Sequence, residues 1–158
     1  MELEVLPGRY AVCRLQPDQV QPIWARSPAG QELLSVTWSD SELSVVCPEQ
    51  RVPSGTPSER GFTVMRVKGP LELSLTGVLA SLTIPLRDQG VPVFAISTHD
   101  TDYLLLRDDD VDRGAAALEA AGHSIGRLTV GEQEQPVTGH LEAPVVADQL
   151  EGERPGAV

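Results

Sequence analysis

Basic residues are few. Twelve Lys and Arg stand against 23 Asp and Glu, for a net charge of −11 and a pI near 4.6. Nucleic acid and anionic membranes repel such a chain, so neither is an expected partner. Cysteine is scarce as well. Cys13 and Cys47 form no CxxC pair, which argues against structural zinc and a disulfide scaffold. Both fall in strand patterns, where a thiol is expected to act as a small buried hydrophobe. No apolar run approaches the roughly 20 residues of a membrane helix. The acidic start, Met1-Glu2-Leu3-Glu4, lacks the basic residues of a secretion signal. A soluble, reduced, cytoplasmic protein is the expectation. What is present is enough for folding: 158 residues, 41% of them hydrophobic, make one compact domain or two small subdomains.

Charge and proline divide the chain. Thr129 to Val158 carries six acids, one base and no aromatic residue. Such a segment buries too little apolar surface to offset its ordering entropy, so residues 129–158 are expected to be an acidic flexible tail. Pro48 to Arg60 holds three prolines and one glycine in thirteen residues. It suits neither a helix interior nor a central strand, and reads as a connection. The expected units are 1–59, with that connection, and 60–128.

The two units echo one another. Val36-Thr37-Trp38-Ser39-Asp40-Ser41-Glu42-Leu43-Ser44-Val45-Val46 aligns with Ile96-Ser97-Thr98-His99-Asp100-Thr101-Asp102-Tyr103-Leu104-Leu105-Leu106. Strand formers flank Asp and Ser/Thr, which bond their own backbone in turns. Each copy predicts a β-hairpin with two acids at its tip, and the repetition suggests duplication. In the second unit, Phe62 to Val67 alternates as a strand. Leu75, Val78, Leu79, Leu82 and Leu86 recur at helical spacing. Gly90 can end that helix. Val91 to Ile96 is a strand, followed by the hairpin. Asp108 to Asp110 opens a second helix with Val111, Ala115, Leu118 and Ala121 inward, closed by Gly122. Ser124 to Leu128 completes β-α-β-β-α-β, a ferredoxin-like unit. The first unit shows a strand at Tyr10–Leu15, a short apolar stretch at Val20, Ile23 and Trp24, and a hairpin, but no second helix. The predicted class is α+β: two tandem ferredoxin-like subdomains, the first abbreviated.

Chemistry is best placed at Gly69 to Gly77, between strand and helix. Ser74 or Thr76 can cap the helix, and Gly77 admits close approach. The first N–H groups of a helix carry a positive partial charge that suits a carboxylate. The tip Ser97 to Asp102 is expected beside it. Together they match a zwitterion, its carboxylate at the helix start and its ammonium at Asp102 or Asp100. An ordinary capped helix and an ordinary solvated turn are the plainer accounts of these residues. Ser97, His99 and Asp100 have the residue types of a hydrolytic triad, but strand neighbours point to opposite faces. Asp108 to Asp110 suits a helix dipole better than a calcium site. His99, His123 and His140 are far apart, so no metal or other cofactor is expected. Trp24 and Trp38 read as core or interface residues.

The sequence resembles the ACT-domain proteins of the CASTOR-type group, small bacterial tandem ACT proteins related to arginine sensors. The resemblance lies in Leu43-Ser44-Val45-Val46-Cys47-Pro48, in Gly69-Pro70-Leu71-Glu72-Leu73-Ser74-Leu75-Thr76-Gly77-Val78-Leu79-Ala80-Ser81, and in Phe94-Ala95-Ile96-Ser97-Thr98-His99-Asp100-Thr101-Asp102-Tyr103-Leu104-Leu105. It spans about residues 5–125. It implies ligand binding rather than catalysis, with a free amino acid, arginine or another, held by Leu73, Ser74, Thr76, Gly77, Thr98, His99 and Asp102. It also implies that a full pocket can need a second copy, in line with a homodimer expected from uncovered edge strands. A ligand-free interaction module with the same fold is the alternative, and a small enzyme the lesser one.

Overall fold

The computed structural model describes residues 1–26 and 32–127; the expected tail lies outside the described residues. Among the described residues there are eight strands and two α-helices. They are β1 (Glu2–Val5), β2 (Tyr10–Leu15), β3 (Ser35–Trp38), β4 (Leu43–Pro48), β5 (Ser58–Val67), α1 (Val78–Asp88), β6 (Phe94–Ser97), β7 (Asp102–Arg107), α2 (Val111–Ala120) and β8 (Ser124–Arg127). The class is α+β with a mainly antiparallel sheet, as expected. Its path runs β3-β4-β2-β5-β1-β8, with β7 on β5 and β6 on β7.

β5 joins the halves. Its start pairs with β2, Cys13 opposite Ser58 and Val12 opposite Glu59. Its end pairs with β7, from Phe62–Arg107 to Arg66–Tyr103. The register slips between Tyr10 and Val12, and Gly61 takes φ +76 at that point, which glycine adopts without a Cβ penalty. Ser58, Glu59 and Arg60 are therefore strand rather than connection: past Pro57 nothing removes a ladder donor. Among the described residues the connection holds a short 3-10 turn, Glu49–Arg51, and no α-helix. β1 enters the other unit's sheet. It lies antiparallel to β5 and parallel to β8, Leu3 meeting Val67 and Ile125.

Side-chain alternation sorts the apolar residues into three cores. Met65, Val67, Leu104 and Leu106 face the helices with Leu3, Leu82, Leu86 and Leu118. Ala11, Cys13, Val45 and Cys47 build a second core with Trp24 against it. Tyr10, Val46, Phe62, Val64 and Leu105 fill a third between the reverse faces of the two units. Both cysteines are buried, as expected, and their thiols are free. Hydrogen bonding between their thiols, with burial adding, pushes Cys47 well above the ordinary thiol range, and the same contact lowers Cys13.

Both helices depart slightly from the sequence pattern. α1 begins at Val78, and Leu75 lies before it, 54% exposed. Ala121 is exposed at the end of α2, because the helix stops at Ala120. Pro85 sits inside α1 and cannot donate to the Ser81 carbonyl one turn earlier. His123 Nε2 lies 3.2 Å from that oxygen and takes the place of the missing donor. Val20 and Ile23 are exposed, while Ala25 of the adjoining 3-10 turn is buried.

Candidate functional site

Two segments meet at one end of β5 and β7. One is the loop from Lys68 to Gly77 that leads into α1. The other is the β6–β7 turn, Thr98 to Thr101. The turn closes on itself: Thr98 N–H donates to the Thr101 carbonyl at 2.8 Å, and Thr98 Oγ1 donates to the same oxygen at 2.9 Å. Thr101 N–H returns a bond to Thr98 Oγ1 at 3.2 Å. The loop then docks on the turn through backbone. Leu71 N–H donates to the Asp100 carbonyl at 2.7 Å, and Thr101 Oγ1 donates to the Val67 carbonyl. Only glycine fits at position 69, since a Cβ there would lie 2.7 Å from the Asp100 oxygen.

The expected residues divide accordingly. Thr98 is taken up in the turn. His99 Nδ1 and Asp100 Oδ1 are 2.6 Å apart on the exposed tip. Asp102 is only 9% exposed, and Ser97 Oγ donates to its Oδ1 at 2.5 Å across the β6–β7 ladder. On the other segment, Ser74, Thr76 and Gly77 are exposed, and Leu73 is 74% exposed. Among the described residues, no hydrogen bond joins Leu73, Ser74, Thr76 or Gly77 to Thr98, His99 or Asp102. Gly69 and Leu71 make the junction. Sequence reading placed Gly69 in the motif without a role, because the contact is made by backbone.

Neither Ser74 nor Thr76 caps α1, contrary to expectation. Gly77 occupies the N-cap at φ +78 with no side-chain cap bond. This left-handed turn redirects the chain after Thr76, and the Ser74 hydroxyl instead lies 3.4 Å from Glu72 Oε2. The first N–H groups of α1 thus receive no side-chain acceptor. A free helix start of this kind suits a carboxylate. The triad types do not assemble: His99 pairs with Asp100 on the exposed tip, but Ser97 bonds Asp102 instead of His99. No group of three or more His, Cys, Asp or Glu among the described residues is arranged for a metal. No helix among them is long and apolar enough to cross a membrane.

Comparison with known proteins bears on the same region. The family model for the ACT domain matches residues 57–120, and a separate model for an N-terminal domain matches residues 8–55. No curated protein matches the chain. Among solved structures, protein Atu0741 from Agobacterium tumefaciens is 32% identical, with 84% of this chain and 96% of that one covered and a TM-score of 0.75. Protein VC0802 from Vibrio cholerae, described as a possible transport protein, is 16% identical over 76% of this chain and 88% of its own, with a TM-score of 0.58. The regulatory subunit of aspartate kinase from Thermus thermophilus is 12% identical over 75% and 93%, with a TM-score of 0.50. The last two share the fold.

Proposed function

Because this chain belongs to the ACT-domain family, with the regulatory, ligand-binding role that membership carries, we propose that it senses a free amino acid without catalysing a reaction. The carrying observation is the uncapped start of α1 beside a loop docked onto the β6–β7 turn. The ligand's carboxylate meets the first N–H groups of α1, past Ser74, Thr76 and Gly77. Its ammonium meets the acidic side of the turn, where Ser97 fixes the Asp102 carboxylate and His99 pairs with Asp100. Leu73 and Thr98 flank the space between. Arginine or another amino acid fits this description equally.

The same reading treats residues 1–59 as an abbreviated ACT-like unit, 60–128 as the complete one and 129–158 as an acidic tail. The strand order supports it, since β3-β4-β2 in one half repeats β6-β7-β5 in the other. It further proposes a cytoplasmic homodimer. Among the described residues β3, β6 and β8 each pair on one side only, and a second copy would cover such an edge.

Calorimetry and thermal melting against the standard amino acids test the reading. One amino acid, or a small related group, should raise the melting temperature of wild type. A ligand at a hundred times its Kd adds about 2.7 kcal/mol. Asp102→Ala should abolish that response while remaining folded. Silence toward every amino acid would instead favour the interaction module, to which the exposed Leu73 and Leu75 already point. A monomer in sedimentation at micromolar concentration refutes the dimer.

A further inference from the structure

The reverse faces of the two hairpins, β3–β4 and β6–β7, do not close fully. Beyond the third core they leave an open groove of about 240 Å³. One wall is lined with hydroxyls: Ser35 and Thr37 on β3, and Ser44, the ladder partner of Thr37, on β4. These three side chains have no hydrogen-bond partner among the described residues. The facing wall is mostly apolar, Phe94, Ala95 and Ile96, with Ser97 at its end, whose hydroxyl is committed to Asp102. Ile96 packs against the third core, and Phe94 keeps 39% of its surface exposed. Among the described residues, no charged residue lines the groove. Arg14, opposite Ser44 in the next ladder, is ion-paired to Glu42 at 2.9 Å.

We propose that this groove is a second binding site, for a small uncharged molecule with a flat apolar face and a hydrogen-bonding edge. Its flat face lies on Phe94 and Ile96, where aromatic and aliphatic side chains reward burial. Its polar edge meets the hydroxyls of Ser35, Thr37 and Ser44, each able to donate or accept. Size sets the scale: the volume falls just under the roughly 300–1,000 Å³ of drug-sized pockets, so a single substituted ring fits. Charge sets the class. Neutral hydroxyls alone do not compensate the desolvation of an ion, so a zwitterionic amino acid is a poor occupant here. The site lies away from the loop before α1, shares only Ser97 with the proposed amino-acid site, and stands whether or not that loop binds an amino acid.

Titration of the full chain with benzamide, followed in amide nitrogen–proton NMR spectra, tests this. Saturable shifts should appear in β3, β4 and β6, and benzoate, the charged analogue, should bind more weakly. The double variant Thr37→Val, Ser44→Ala keeps the shape and removes two hydroxyls. It should melt near wild type and weaken benzamide binding by about tenfold. Phe94→Ala should weaken it as well. Absence of saturable shifts in these strands up to millimolar benzamide overturns the proposal. So does binding that the double variant leaves unchanged, or benzoate binding as tight as benzamide. Shifts confined to the loop before α1 also overturn it, while leaving the amino-acid site untouched.

Discussion

Replacing Gly69 by alanine isolates the junction on which the proposed sensor site depends. The backbone at Gly69 is not in the left-handed region, so alanine meets no conformational penalty there. Space is the obstacle. The new Cβ would lie 2.7 Å from the Asp100 carbonyl oxygen and 3.5 Å from Thr101 Cβ. A carbon and a carbonyl oxygen rest at about 3.3–3.6 Å, so the turn and the loop must part by more than about half an ångström. The displaced oxygen is the one that accepts the Leu71 N–H bond. Loss of that bond costs about 1 kcal/mol, and residual overpacking about 1–3 kcal/mol. The sum is about 2–4 kcal/mol, a fall in melting temperature on the order of 10 °C for a domain of this size. Thermal melts by far-ultraviolet circular dichroism measure it. Gly8→Ala is the control, with φ +78 and no neighbouring atom within 4 Å; its left-handed backbone alone costs roughly 1–2 kcal/mol. A Gly69→Ala protein that melts no lower than Gly8→Ala would show that the two segments are not pressed together. At temperatures where Gly69→Ala stays folded, any amino-acid response should be lost with the junction.

Two further outcomes follow from polar contacts elsewhere. Asp108 accepts from Thr63 Oγ1 at 2.8 Å, and its other oxygen lies 3.0 Å from Arg9 Nε in an ion pair that does not have hydrogen-bond geometry. Asp108→Ala should lower stability by about 1–3 kcal/mol through the orphaned threonine hydroxyl, and Arg9→Ala, removing a largely exposed charge, by less than about 1 kcal/mol; urea midpoints in the reverse order would refute this. Burial raises the Tyr10 phenol above its ordinary 10.0. A raised folded pKa gives stability that is complete below pH 10 and is lost as pH climbs further, so the alkaline fall in urea midpoint should be shallower in Tyr10→Phe than in wild type. Cys47 shifts in the same direction from 9.0, so the two proteins share the first part of that fall. Equal slopes above pH 10 would remove Tyr10 from the account.

Much of the second unit was legible because its signals are local. Phe62 to Val67 has a strand pattern and lies in β5, Val78, Leu79, Leu82 and Leu86 share a helical face, and Gly90 and Gly122 follow their helices with positive φ. The hairpins were legible from turn residues between strand formers. What failed depended on a single backbone angle or on partners distant in sequence. Gly77 at φ +78 moved the helix start past Ser74 and Thr76, and spacing alone cannot report that angle. Sequence alone places Asp102 at the hairpin tip, as an acid open to a ligand's ammonium. The register that sets it opposite Ser97 buries it instead. Leu73 and Leu75 carry apolar side chains in a stretch whose packing comes from backbone contacts at Gly69 and Leu71, to which hydrophobic periodicity is blind. The groove beside Phe94 was invisible for another reason. Its walls come from residues about 50–60 positions apart, and each wall alone is an ordinary strand face.

The division near residue 59 matches a change in composition, but the strands do not part there. The two family matches span 8–55 and 57–120. β1 and β8 fall outside both ranges, yet they pair with one another in parallel, and β1 is the strand that connects β8 to β5. Leu3, fully buried, fills the helix-side core together with Leu82, Leu86 and Leu118. β5 in turn lends its first residues to β2 and sends Phe62 and Val64 into the core shared by both units. Each unit therefore completes its sheet with a strand from the other's stretch of sequence. Two halves that exchange strands in this way are held together through the core between them. A ligand at the proposed site would thus act on a strand, β5, whose opposite end is held by β2.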